Sequence, residues 1–167
     1  GVERVPAHDH GGTLVVPSVV VLHYTAGASF DGDLRTLTSL NDPKVSAHLL
    51  IGRDGRIVQT LDFRTIAYHA GASSWRGRSG VNTFGIGIEL VNPGWKRVGF
   101  EHLDWPTRRT VHINGGPVRD WYLYTDAQYE QVTAVCRALF DRYESLVSVE
   151  GHDDIAPGRK EDPGQAY

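Results

Sequence analysis

The segment Phe84-Gly85-Ile86-Gly87-Ile88-Glu89-Leu90 restricts the fold of this chain more than any other. Its alternation is that of a strand, with Phe84, Ile86, Ile88 and Leu90 on one face and Gly85, Gly87 and Glu89 on the other. Four apolar side chains require a core on the first face. The second is bare except for one carboxylate, and glycine weakens a strand interior unless something must approach its backbone closely. Two readings are open: a cleft floor from which Glu89 rises, or a glycine pair packed under a helix with Glu89 solvated at an edge. Both make this segment a strand of a sheet.

Other segments supply partners for it. Ser18-Val19-Val20-Val21-Leu22 is β-branched and follows Pro17, so it reads as a buried strand whose exit carries His23. From Ser29, Phe30, Leu34, Leu37 and Leu40 recur at helical spacing until Asn41-Asp42-Pro43 ends the run. Residues 46–51 and 56–61 flank Gly52-Arg53-Asp54-Gly55, whose Asp-Gly pair signals a hairpin. Thr125-Asp126-Ala127-Gln128 has the form of a capping box, and Val132, Val135, Cys136, Leu139, Phe140 and Tyr143 continue as one face of a long helix. Residues 147–149 read as a short last strand that delivers His152 as the first strand delivers His23. Residues 1–12 are polar, glycine-rich and aperiodic, and read as a loosely held arm in which His8, Asp9 and His10 have no functional role. A length of 167 residues suits one domain rather than two.

Composition removes several classes of function. A formal net charge of -3 without a basic tract gives no support to nucleic-acid binding. The longest apolar run, residues 14–22, is interrupted by Pro17 and Ser18 and is too short to insert across a membrane. The only cysteine, Cys136, excludes an intramolecular disulfide framework. Beginning at Gly1 rather than Met, the chain reads as a processed or trimmed form, and it is expected to act as a monomer.

The chemistry concentrates in residues 151–164, a loop bent by glycine and proline that carries His152, Lys160 and Asp162. An imidazole and a carboxylate are ligand types for a divalent metal, and a lysine between them can stabilise charge developing nearby. His23 offers a third ligand. Two imidazoles and one carboxylate would leave a position open on a tetrahedral zinc, which is the pattern of a catalytic site. Spacing alone does not establish it, since there is no compact HExxH and eight histidines allow accidental pairings. His48 reads as a structural histidine. His69 and Trp75 belong to a glycine- and serine-rich loop suited to sugar or peptide binding, with core packing the competing account of Trp75. Between residues 93 and 121, basic and aromatic side chains lack periodicity and read as a lid or as an insertion folded onto its own domain.

His23-Tyr24-Thr25-Ala26, the hairpin from Ser46-Ala47-His48 to Gly55, Tyr68-His69-Ala70-Gly71, Gly85-Ile86-Gly87-Ile88-Glu89 and the His152 to Gly164 loop occur in one order. In that order the chain resembles zinc-dependent N-acetylmuramoyl-L-alanine amidases, most closely the AmpD-type branch, over roughly residues 19–164. The resemblance implies an α/β domain over 13–167, with a central mixed β-sheet flanked by helices and a zinc cleft at strand ends. It implies hydrolysis of the amide between N-acetylmuramic acid, or its anhydro form, and L-alanine, with peptidoglycan or a muropeptide as substrate. It makes His23, His152 and Asp162 the zinc ligands, Glu89 the acid/base and Lys160 the transition-state partner. Other branches carry a tyrosine where this chain has Ala47, so the mechanism is expected to rest on Glu89. His69, Trp75 and Asn82 are the candidate substrate contacts, although Asn82 and Asn92 could instead close turns. The rival readings are a non-catalytic peptidoglycan-binding module of the same fold and a metallopeptidase cutting within the stem peptide. The compartment is open, with the bacterial cytoplasm preferred to the periplasm or the outside.

Overall fold

A computed structural model describes residues 2–14, 16–165 and 167. In chain order its elements are β1 (Glu3–Arg4), β2 (Val19–Tyr24), α1 (Phe30–Thr38), β3 (Leu49–Ile51), β4 (Ile57–Gln59), β5 (Ser74–Trp75) and β6 (Arg78–Ser79), followed by β7 (Gly85–Leu90), β8 (Thr107–Thr110), β9 (Arg119–Tyr122), α2 (Asp126–Arg142), β10 (Val149–Gly151) and α3 (His152–Ile155). Among the described residues one sheet has the order β1-β4-β3-β7-β2-β10, and only its β3–β4 pair is antiparallel. The sheet is therefore mixed. The Val19-Val20-Val21-Leu22 run fits its central place, because parallel strands covered on both faces carry unbroken apolar sequence. No helix among the described residues is long and apolar enough to cross a membrane.

Ile86, Ile88 and Leu90 pack with Val20, Leu22, Leu49 and Ile51 beneath Val132 and Leu139 of α2. That helix starts at a complete capping box, Thr125 with Gln128, and Gln128 also donates to the Val91 carbonyl at 3.0 Å. On the opposite face Val19 and Val21 meet Ala70, Val81, Phe84 and Ile155, while Ala47 and Leu50 meet Leu37 of α1. Alternation alone put Phe84 with Ile86. A 3₁₀ turn, Val81–Thr83, has Phe84 as its C-cap, with ψ 7°, so Phe84 leaves the strand pattern and packs on the other side.

Two stretches are more ordered than their composition suggests. Residues 2–12 of the expected loose arm are held along the sheet edge (Gly1 lies outside the described residues). β1 pairs with β4, the Val5 and Ala7 amides donate to the Gln59 and Thr60 carbonyls, and Asp9 is buried as the acceptor for the Asn41 amide. The outer edge of β4 offers unpaired backbone groups, and the arm satisfies them without needing a hydrophobic period of its own. Residues 93–121 include the antiparallel β8–β9 ribbon, whose Trp121 is buried and packs so closely on Gly164 that a Cβ there would lie 2.8 Å from the indole.

His48 is wholly buried. Its Nε2 donates to the Thr65 carbonyl at 2.9 Å, and its Nδ1 accepts from the Gly87 amide at 3.0 Å. Burial pushes its pKa down to about 4, against smaller opposing effects of those two bonds. The folded state thus resists a proton that the unfolded chain takes up near the ordinary histidine value, so stability is lost as pH falls through that window. Between pH ~7 and ~5 this group should cost about 2 kcal/mol. Denaturant melts at the two pH values should show a smaller difference in His48→Gln, and an unchanged difference would refute the assignment.

Candidate metal centre and catalytic cleft

Parallel strands bring their C-terminal ends to one edge of the sheet, where α/β proteins place ligands. β2 presents His23 there, β7 presents Glu89 directly opposite it in register, and β10 leads straight into His152. His152 opens α3 rather than a loop. The chain then bends through residues 156–161 and returns Asp162, whose carbonyl accepts from the Asp153 amide at 2.8 Å. Gly151 permits that closure, since a Cβ would lie 2.1 Å from Asp153 Oδ1 and 2.7 Å from Pro163.

His23 Nδ1, His152 Nδ1 and Asp162 Oδ2 form a triangle with each separation 2.9 Å, and all three residues are buried. The Ala70 carbonyl lies 3.0 Å from His152 Nε2. Arg159 Nη2, which only donates, also stands 3.3 Å from that nitrogen, but the carbonyl is nearer and only accepts, which places the imidazole proton on Nε2 and turns an Nδ1 lone pair towards the carboxylate. Lone pairs facing one another around a buried carboxylate call for a cation between them. Two imidazoles and a carboxylate are a donor set that fits a divalent ion of the zinc class. Burial lowers the His23 pKa against the pull of Asp162. Burial would raise that of Asp162, but its bonds with His152 and His23 outweigh this and hold it below the ordinary carboxylate range.

A cleft of about 470 Å³ opens beside the triangle, lined by Tyr24, Tyr68, Glu89, Arg97 and Lys160 as well as the cluster. Glu89 Oε2 is buried and has no hydrogen-bond partner among the described residues. Its burial pushes the carboxyl pKa well above the usual range, with Asp162 and Asp33 adding to the effect and Lys160 opposing it. A buried acid of this kind, unpaired and on a cleft wall, is poised for proton transfer. A larger depression, about 670 Å³, runs along α2 past Val132, Cys136 and Phe140 and includes none of these groups.

Of the three candidate substrate contacts, His69 lines the cleft, whereas Trp75 and Asn82 are not among its lining residues. Trp75 donates from its indole to Glu150 at 2.9 Å and packs against the Val19–Val21 side of the core, away from the cleft lining. Asn82 Oδ1 accepts from the His69 and Ala70 amides at 3.1 and 2.7 Å, so it shapes the chain. His69 reaches the cleft edge, yet both ring nitrogens are engaged inside the protein, with His23 Nε2 at 3.0 Å and the Gly85 carbonyl at 3.3 Å. The bare face of β7 is likewise filled in part. A Cβ on Gly87 would lie 2.5 Å from His69 Cγ, so the glycines seat an imidazole there. Asn92 closes a turn through the Gly94 amide and also donates to the Tyr122 carbonyl.

Two braces on the segment from His152 to Asp162 have no signature in the sequence. His112 Nε2 meets Asp153 Oδ2 at 3.0 Å with both residues buried, and Arg119 pairs with Glu161, so the β8–β9 ribbon and the turn within it hold residues 151–164 at these points as well as through Trp121 on Gly164. Arg159 donates to the Ala70 carbonyl at 2.6 Å. No sequence signal links His112 with Asp153, because the contact joins residues far apart in an aperiodic stretch.

The N-acetylmuramoyl-L-alanine amidase family model matches residues 13–165. The chain is 43% identical over 125 residues to the 1,6-anhydro-N-acetylmuramyl-L-alanine amidase AmpD of Escherichia coli K12, covering 74% of this chain and 54% of that protein. It is 34% identical over 157 residues to the N-acetylmuramoyl-L-alanine amidase AmiD of the same organism, covering 89% and 49%. It thus spans about half the length of these relatives. Among solved structures, an AmpD selenomethionine derivative superposes with a TM-score of 0.74 at 34% identity, covering 99% of this chain and 89% of that one. Escherichia coli AmiD in complex with the substrate anhydro-N-acetylmuramic acid-L-Ala-D-γ-Glu-L-Lys superposes with a TM-score of 0.70 at 33% identity, covering 90% and 54%. With the family model matched along nearly its whole length, the chain belongs to the N-acetylmuramoyl-L-alanine amidase family.

Proposed function

We propose that this domain is a zinc-dependent hydrolase of the amide between N-acetylmuramic acid, or its anhydro form, and the L-alanine of a peptidoglycan stem peptide. The observation that carries the reading is the convergence of His23, His152 and Asp162 beside the unpartnered, buried carboxyl of Glu89. His23, His152 and Asp162 would hold the ion, which when bound supplies Lewis acidity that activates water at neutral pH and polarises a carbonyl. Glu89 takes the proton of the attacking water and passes it to the departing alanine nitrogen. Lys160 lines the same cleft and offers a cation to the negative charge that develops on the carbonyl oxygen. The names of the relatives, and the muropeptide bound by AmiD, support a muropeptide as the substrate.

Metal content tests the reading. Protein loaded with zinc and freed of excess should retain about one equivalent by elemental analysis. Less than about half an equivalent would favour a non-catalytic peptidoglycan-binding module instead.

A further inference from the structure

We propose that His69 is a positioning residue for the metal centre: through its hydrogen bond with His23 it fixes the tautomer in which His23 Nδ1 offers a lone pair to the ion. This rests on the zinc reading above and assigns a role to a residue outside the ligand triangle.

A neutral imidazole has one N–H and one lone pair. The Gly85 carbonyl can only accept, and it lies 3.3 Å from His69 Nε2, so the His69 proton is on Nε2. His69 Nδ1 is then an acceptor. It stands 3.0 Å from His23 Nε2, and two ring nitrogens bond only when one of them carries the proton, so His23 is protonated on Nε2. What remains is His23 Nδ1, the atom 2.9 Å from both His152 Nδ1 and Asp162 Oδ2. A carbonyl on β7 therefore sets the polarity of a chain that ends in a metal-facing lone pair. In the reverse polarity, a lone pair of His69 would face the Gly85 carbonyl and an N–H of His23 would point at the ion.

The surroundings are built for this arrangement. His69 is buried, and its ring stands nearly perpendicular to that of His23, with centroids 5.1 Å apart. Gly87 leaves the space the ring occupies. Asn82 grips the amides of both His69 and Ala70. Ala70 supplies the carbonyl that fixes His152, so two consecutive residues set the tautomers of both histidine ligands. One of them acts through a backbone carbonyl and the other through a side chain.

Zinc affinity, measured on the full chain by competition with a chromophoric chelator, tests the proposal. Partners of metal-ligating histidines typically contribute 10–100-fold, so His69→Ala should weaken zinc by about that factor. His69→Gln, whose amide can accept from His23 and donate to Gly85, should recover most of the loss. Wild-type affinity in His69→Ala, with only KM raised, would overturn the proposal and return His69 to the substrate. If His69→Ala fails to fold, ¹⁵N spectra of the zinc-loaded wild type decide. Protonation of His23 on Nε2, with a coupling across the bond to His69 Nδ1, is expected, and a proton on His69 Nδ1 would refute it. A wild type that holds no zinc would sink the functional reading as well, whereas equal affinities in wild type and His69→Ala would sink this inference alone.

Discussion

Glu89→Gln should keep its zinc and lose about 10²–10⁴-fold in turnover, the usual contribution of a general acid/base group. The carboxamide matches the carboxyl in shape but cannot accept the water proton or deliver one to the leaving nitrogen. Binding of the ion should persist because the three ligand atoms come from His23, His152 and Asp162. Stability separates this account from a structural role for Glu89. Burial raises its folded-state pKa, so as pH rises above the ordinary carboxyl value the unfolded chain loses its proton first, and the folded state loses stability relative to it. Metal-free Glu89→Gln should therefore melt above the metal-free wild type near neutral pH, and the gap should close in acid. A variant with near-wild-type turnover, or one that melts lower at neutral pH, would mean that the carboxyl serves the fold.

Asp162→Ala should remove both zinc and activity. Asp162 Oδ2 is 2.9 Å from both imidazole Nδ1 atoms, and it is the one anion in the triangle. Without it two neutral rings remain, so zinc affinity should fall by more than the ~10–100-fold typical of an outer partner. The fold should survive, because the link that closes the loop is the Asp162 carbonyl with the Asp153 amide, which the substitution leaves in place. Elemental analysis of Asp162→Ala beside the wild type reads this directly, and a variant with full zinc would exclude Asp162 as a ligand.

Much of this site was legible in the sequence for identifiable reasons. His23 and His152 each follow a short apolar strand, Asp162 sits on a loop closed by glycine and proline, and alternation puts Glu89 on a face without bulk. Each of these signals is local. What could not be read depends on distant partners. The gap over Gly85 and Gly87 was visible, but its occupant, His69, comes from a loop with no period to show which way its side chains turn. Trp75 and Asn82 share that loop, and their bonds to Glu150 and to the amides of residues 69 and 70 required the folded chain. The β8–β9 ribbon was hidden because Thr107-Arg108-Arg109-Thr110 has no apolar alternation. Its hold on the 151–164 segment runs through His112, Arg119 and Trp121. The pairing of the arm is hidden for a related reason, since β1 joins the sheet through backbone groups that composition does not reveal.

Mass spectrometry of the products formed when the zinc-loaded protein is incubated with muropeptides, anhydro-muropeptides included, decides whether this domain cleaves the muramyl–L-alanine amide. The expected products are an intact stem peptide with a free amino group on its L-alanine and a muramyl sugar that retains its lactyl carboxylate. Shorter peptides cut within the stem, or substrate recovered unchanged, would contradict that cleavage.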